Sequence, residues 1–344
     1  MRIFAIMRLR CKFCLAPALL SFLLAAPANA RAASCTTQSA LLGVDRDALT
    51  AVGGRLAMAA AQQDYTALKA ALLPAVATDW DSMHGVVEQS ASLLKGGQIE
   101  LRNLYLLDAS SLPAPADTQF FCSNASGSIT VTLTMRSLPP GRYALVLGEA
   151  KGTPNLGQLS LILAWDASGS NPGWKLGGLT IHPGALDGND GTWYWSRARE
   201  LAGSDSPKSD PWSAFYSYEV ARSLLVPVDF LSSPNLDKLE QEESQIRNSP
   251  KQLFPLTIPD TARTWTIESL LVDPILLHAD LAVVFDANPA LTDPAAQRTE
   301  AIAALSALLK AQPALRQNFH GLWAYAAKDG KHNPVLELPM GQIP

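Results

Sequence analysis

Apolar residues in the first part of the chain recur at helical spacing. Leu49, Val52 and Leu56 repeat every three to four positions, which predicts helical structure over residues 46–95. Asp64 precedes a second apolar stretch, where its carboxylate can accept a hydrogen bond from a free backbone N–H. Three helices are therefore expected in this segment.

Asp79 and Asp81 stand at the expected start of the third helix, and Gly96 and Gly97 follow its end. Two carboxyl groups can serve as a catalytic acid and base, but they must then lie in different environments. Capping of the helix is the simpler interpretation of both aspartates.

From Ile99 onward the apolar period changes to two, which is typical of strands. Residues 128–135 alternate strictly between apolar side chains and Ser or Thr, and they form the clearest predicted strand. Further strands are predicted at 143–147, 158–165 and 175–181. This part of the chain is therefore expected to be a meander of long antiparallel strands.

The second half of the chain begins with the glycine-rich stretch 187–191, which leads into two aromatic helices at 192–199 and 212–225. Two further strands, an amphipathic helix at 295–310 and a hairpin around Asp329-Gly330 follow. The C-terminal part therefore has the order ββαββ.

These patterns predict an α+β fold in which N-terminal helices pack on a curved antiparallel sheet, followed by a helical connector and a small C-terminal α/β unit. The expected boundaries are a signal peptide at 1–30, an N-terminal segment at 31–45, the α+β domain at 46–184, the connector at 185–250 and the C-terminal domain at 251–344.

The order of helices and strands over residues 46–183 resembles the NTF2-like, or cystatin-related cone, superfamily. The resemblance depends on element order, on the helix junction at 63–68 and on the strand at 176–183. It implies a sheet wrapped around helices with a pocket at its open end. The catalytic residues of that family have no counterpart here, so no activity carries over, and an unrelated α+β sandwich is the alternative. The two aromatic helices resemble one tetratricopeptide-type hairpin.

The N-terminus is typical of a secretory signal peptide. Basic residues precede an apolar run at 15–26, and Ala28-Asn29-Ala30 offers a cleavage site. The run has about 12 residues, whereas a membrane span needs ~20. Export to the periplasm or beyond is therefore expected. A lipid anchor on Cys35 is the less favoured alternative, because Ala32 stands where a branched apolar residue is usual.

The charge balance narrows the classes of partner that the protein can bind. The net charge is −4, from 27 basic and 31 acidic residues, and removal of the four basic residues of 1–30 changes it to −8. This balance disfavours nucleic acid as a partner.

After cleavage two cysteines remain, Cys35 and Cys122, and a disulfide between them is expected in an oxidising compartment. Two unpaired buried cysteines are the alternative. No later apolar stretch is long enough to span a membrane.

Catalytic, metal and cofactor motifs are not found. The sequence has no Gly-x-Ser-x-Gly, and none of its five histidines pairs with another at ligand spacing. The stretch 187–191 departs from the calcium-loop pattern, which leaves a turn and a helix cap as its interpretation. We therefore expect no catalytic residue, metal or cofactor. If an acid–base site exists, His84, Asp79, Asp81 and His182 are its first candidates.

Aromatic residues are concentrated in the connector. Five of them are predicted to form a binding surface for a sugar, a peptide or an apolar ligand: Trp193, Tyr194, Trp195, Trp212 and Tyr216. Packing between the two helices is the alternative. The sequence thus favours a non-enzymatic exported binding or scaffolding protein, whose partner is a small molecule or an envelope protein. The alternatives are an exported hydrolase or isomerase with its site in the cone pocket, and a protein-interaction module built on the helical hairpin.

Overall fold

A computed structural model describes residues 33–168, 172–203, 209–260, 263–273, 278–288, 292–328 and 330–344. The predicted signal peptide at 1–30 lies outside the described residues, as does Asp329. Residues 33–344 form one compact unit with three apolar cores. The domain boundaries at 184 and 250 stay predictions.

The helices are α1 (Gly43–Ala61), α2 (Tyr65–Ala70), α3 (Trp80–Gln89), α4 (Ala91–Leu94), α5 (Gly191–Ala202), α6 (Pro211–Leu225), α7 (Pro234–Ser244), α8 (Pro294–Ala311) and α9 (Leu315–Asn318). Short 3-10 helices span Pro74–Asp79, Pro250–Gln252 and Met340–Gln342. Among the described residues, no helix combines the length and the apolar character needed to cross a membrane.

The strands are β1 (Ser34–Thr37), β2 (Gln98–Asp108), β3 (Ala116–Ser123), β4 (Ile129–Leu138), β5 (Arg142–Lys151), β6 (Gly157–Asp166), β7 (Gly173–Pro183), β8 (Ala185–Leu186), β9 (Asn189–Asp190), β10 (Leu231–Ser232), β11 (Leu256–Pro259), β12 (Thr264–Val272), β13 (Asp280–Asp286), β14 (Gly321–Lys328) and β15 (Lys331–Pro339). Together with the helices they confirm the α+β class.

The N-terminal sheet has the order β1-β2-β5-β6-β7 and is antiparallel throughout. Successive residues of β2 belong to different cores: Leu104 and Leu106 pack with helices α1–α4, whereas Tyr105 and Leu107 pack on the opposite face. This sheet is therefore a middle layer with apolar partners on both faces.

A small sheet of order β10-β4-β3 covers the second face. Phe120 and Leu133 of this sheet share a core with Leu145 of the N-terminal sheet. The predicted disulfide is confirmed, because Cys35 on β1 is bonded to Cys122 on β3. It fastens the small sheet to the edge of the N-terminal sheet.

Two sequence-based expectations are wrong in this part of the chain. The predicted meander is interrupted, because β2 pairs with β5 from Gln98 to Asp108 and leaves no room for β3 and β4 between them. No side-chain capping bond is made by Asp79, because a 3-10 helix runs directly into α3 and leaves no free helix end there. The Asp64 cap is confirmed, with 2.9 Å between its Oδ1 and the N–H nitrogen of Ala67.

The C-terminal sheet has the order β11-β12-β13-β14-β15. The predicted ββαββ order is present within it, and α8 connects the parallel neighbours β13 and β14. Helix α8 packs on β14 and β15, and α6 contacts β12. Residues of the predicted connector and of the C-terminal sheet thus share one apolar core.

Candidate ligand-binding cavity

A cavity of about 670 Å³ opens where β7, α6 and α7 meet. Its interior is mainly apolar. The residues that form this interior include Val226, Val228, Phe230, Leu236 and Leu239. Such a mixture of apolar walls and a few polar groups is usual for small-molecule sites.

One wall of the cavity is the segment 226–230, which follows α6. Pro227 removes a backbone donor and stops the helix, so the chain turns onto the N-terminal sheet. There the carbonyl oxygen of Pro227 accepts a hydrogen bond from Ser160 Oγ at 3.0 Å, and that of Leu224 accepts one from Gln158 Nε2 at 3.0 Å. The wall is thus held by polar side chains of β6.

His182 on β7 borders the cavity, with its Nδ1 at 3.1 Å from the carbonyl oxygen of Pro183. Burial lowers the pKa of His182, and the carbonyls of Pro183 and Pro227 and the charge of Asp229 oppose this only in part. The imidazole is therefore neutral at neutral pH, and it presents a polar but uncharged surface to the cavity.

A pair of carboxyl groups lies between α6 and α7. Glu219 borders the cavity, and the carboxyl group of Glu243, a residue only 5% exposed, lies near enough to feel its charge. Burial, together with the neighbouring Glu219, raises the pKa of Glu243 to about 7, although Lys251 and Arg222 oppose the shift. The carboxyl group of Glu243 therefore keeps a proton into the neutral range.

The rim of the cavity is acidic. Asp229, Asp237 and Glu240 are exposed residues of the lining, and the half-buried Glu219 adds a fourth carboxyl group. The exposed guanidinium group of Arg222 opposes them. Because His182 is neutral, the lining carries an excess of negative charge above an apolar interior. This combination is complementary to a molecule that has one cationic end and one apolar end.

Most of the predicted aromatic surface lies inside the protein. Tyr194, Trp212 and Tyr216 are buried, at 3%, 6% and 1% exposure. Trp195 is half-buried, and its Nε1 donates to a Glu242 oxygen at 2.7 Å, whereas Trp193 is 46% exposed. For these three buried rings the structure therefore agrees with the alternative interpretation, in which the aromatic residues pack between the helices. None of the five lines the cavity described above.

The four acid–base candidates are not brought together. His84 lies against Tyr65, with ring centroids 4.2 Å apart, in a separate shallow depression. Asp79 and Asp81 stand at the start of α3, and only His182 reaches the cavity. Within the stretch 187–191, residues 187 and 188 form a two-residue turn between β8 and β9. Asp190 then caps α5 by accepting the N–H of Trp193, so a turn followed by a helix cap is found, as the interpretation without calcium predicts.

Sequence reasoning missed the carboxyl pair. The many charges of α7 favour a solvated helix, yet Leu236, Leu239 and Glu243 recur at the spacing of a buried stripe. The sequence did contain one indication of this: Glu243 places a carboxyl group in the apolar stripe of α7. The partner Glu219 lies 24 residues earlier, and only the packing of α6 on α7 joins the two.

Comparisons of the chain with protein-family models, with curated proteins and with solved structures find no match in any of the three.

Proposed function

We propose that the protein is an exported, non-enzymatic binding protein that holds a small amphipathic cation in the cavity between β7, α6 and α7. The observation that carries the proposal is a cavity lined by apolar side chains together with four carboxylates and one guanidinium group. An ammonium or guanidinium group would lie at the rim beside Glu219, and an apolar chain would fill the interior. Burial of each methylene contributes about 0.8 kcal/mol.

Export is supported by the predicted signal peptide and by the Cys35–Cys122 disulfide, since such bonds persist in oxidising compartments. The same bond disfavours a lipid anchor, because the thioether of a lipoprotein would need the sulfur of Cys35. Intact mass of the protein from its own envelope tests both points. We expect cleavage after Ala30, no lipid, and the loss of two hydrogen atoms for the disulfide; a lipid adduct would refute this part.

The binding test uses octylammonium as the probe and octanoate as its matched anion. Calorimetry should show one site for octylammonium, and octanoate should bind at least about tenfold more weakly, a difference of about 1.4 kcal/mol. Leu236→Trp, which fills the cavity, should abolish binding, and Glu219→Gln should weaken it.

Glu88→Gln is the matched control, because Glu88 is an exposed carboxylate on α3 outside the cavity lining. It should leave octylammonium binding unchanged. Equal binding of octanoate, or an undiminished affinity in both cavity variants, would refute the proposal.

General acid–base catalysis is a second candidate, favoured because His182 and Glu219 border one cavity and the pKa values of His182 and Glu243 are shifted. This corresponds to a hydrolase or isomerase. Hydrolysis of chromogenic esters and glycosides by the wild type, lost in His182→Gln, would favour it over binding alone.

An interaction module on α5 and α6 has less support, because ten of the fifteen residues of α6 are buried. The NTF2-like cone remains a proposal, supported by the packing of α1–α4 on an antiparallel sheet.

A further inference from the structure

A second cluster of ionisable side chains lies at one edge of the C-terminal sheet, apart from the cavity lining. Asp280 is the first residue of β13, His320 directly precedes β14, and Glu337 lies on β15. A carboxylate oxygen of each acid and a ring nitrogen of His320 lie within 4.8 Å of one another. These donors lie on or directly beside three neighbouring strands, so the sheet itself fixes their positions.

The backbone around the cluster is firmly held. Asp280 pairs with Gly321 in the parallel register of β13 and β14, and Trp323 pairs with Glu337. The N–H of His320 donates to the carbonyl oxygen of Ala279 at 3.0 Å, and the N–H of Met340 donates to that of His320 at 2.8 Å. The donor groups therefore need little reorganisation to act together.

The carboxyl group of Asp280 is the unusual member of the cluster. Its side chain is 1% exposed, and its Oδ1 lies 2.9 Å from Nδ1 of His320. Its other oxygen, Oδ2, is shielded from solvent and has no hydrogen-bond partner among the described residues. A buried carboxylate oxygen without a partner is costly, and a bound cation would offset that cost.

A second histidine and a third carboxylate support the cluster from one side. The ring of His278 is stacked on that of His320, with centroids 4.0 Å apart and an interplanar angle of 17°. Its Nδ1 lies 2.5 Å from Oδ1 of Asp187, whose Oδ2 accepts the N–H of Ala279 at 2.8 Å. The imidazole of His320 is thus confined between Asp280 and His278, as metal-binding histidines usually are by their neighbours.

We propose that Asp280, His320 and Glu337 form a binding site for one divalent transition-metal ion of the zinc class. One imidazole nitrogen and two carboxylate oxygens suit Zn²⁺ and its neighbours. Two carboxylates also balance the charge of a divalent ion. Glu337 is exposed, so the ion keeps access to water on that side. Three protein ligands with an open fourth position are the arrangement found in accessible zinc sites.

The test is a titration of the full mature chain, freed of metal with a chelator, against Zn²⁺ in competition with a chromophoric chelator. We expect one equivalent of Zn²⁺ to bind. Glu337→Gln should weaken the affinity at least about tenfold, and His320→Ala should abolish binding. Glu337 is on the surface, so its substitution tests the site even if a variant at buried Asp280 fails to fold.

The matched control is a histidine and glutamate pair elsewhere in the same sheet. His332 Nε2 lies 3.8 Å from an oxygen of Glu268, and neither residue belongs to the proposed set. His332→Ala and Glu268→Gln should bind Zn²⁺ like the wild type. Absence of stoichiometric binding, or equal losses in the control and cluster variants, would overturn the proposal. Octylammonium binding should be unaffected by Glu337→Gln, so this site and the cavity are tested independently.

Discussion

Gly321 lies beside Asp280 across the parallel pair β13–β14, and its lack of a side chain leaves space for the buried carboxyl group. A Cβ at Gly321 would lie 2.9 Å from Oδ1 of Asp280 and 2.8 Å from the carbonyl oxygen of Leu338. Both distances are shorter than an ordinary van der Waals contact. A glycine at this position is therefore required by packing, and no turn or positive φ is involved.

Gly321→Ala should destabilise the protein by about 1–3 kcal/mol, because the added methyl group must displace the Asp280 carboxyl or the β15 backbone. Urea unfolding measures the change. Gly54→Ala is the control: Gly54 is in the interior of α1, with open space at its Cβ position, and the same substitution should be neutral or stabilising. Equal effects of the two substitutions would contradict the packing argument.

The disulfide should contribute strongly to stability. It joins residues 87 positions apart, and loss of this cross-link should cost about 4 kcal/mol in the chain-entropy model. We expect Cys35→Ala/Cys122→Ala, measured in urea, to have a clearly lower unfolding midpoint than the oxidised wild type. Reductant should lower the wild-type midpoint towards that of the variant and leave the variant unchanged. A wild type insensitive to reductant would contradict the prediction.

The wall of the cavity gives a third prediction. Ser160 is 1% exposed, and its hydroxyl donates to the carbonyl oxygen of Pro227. Ser160→Ala leaves that carbonyl with the longer 3.4 Å contact to Thr180 Oγ1 and should cost about 1 kcal/mol. It should also weaken octylammonium binding, because the segment 226–230 loses an anchor. Ser126→Ala, in an exposed turn, should change neither quantity.

Local patterns predicted the helices, most strands and the disulfide, but not the layering. Strand β2 shows why: Leu104 and Tyr105 are both apolar, so alternation cannot say which face a residue occupies. The continuous apolar run at 104–107 is typical of a strand that is covered on both faces. What it could not reveal was the cover of the second face, because β3 and β4 leave the sheet and return beside it.

The candidate sites were harder to predict, because their members are far apart in sequence. Glu219 and Glu243 meet through helix packing, and His278 and His320 meet because β13 and β14 are parallel neighbours. Spacing rules for metal and catalytic motifs apply to ligands on one element, and neither pair lies on one. Only the charge of Glu243 at an apolar position of α7 was readable beforehand.

The raised pKa of buried Glu243 should make the stability of the protein depend on pH. Folding raises the pKa of Glu243 from 4.5 to about 7, so the folded state binds a proton that the unfolded state releases earlier. The resulting stabilisation is fully present below pH 4.5 and is lost as the pH rises through about 7. The free energy of unfolding should therefore fall between these values, by on the order of 2 kcal/mol.

Urea unfolding at pH 5, 6, 7 and 8 measures this fall. Glu243→Gln cannot ionise, so its profile should be flatter and the variant should be the more stable protein at pH 8, where the wild type has an unpaired buried charge. Glu240→Gln, an exposed carboxylate one turn earlier on α7, should keep the wild-type slope. Parallel profiles for the wild type and Glu243→Gln would mean that the carboxyl group of Glu243 does not keep a proton into the neutral range. The packing of α6 on α7 would then contribute nothing to the pH dependence of the free energy of unfolding.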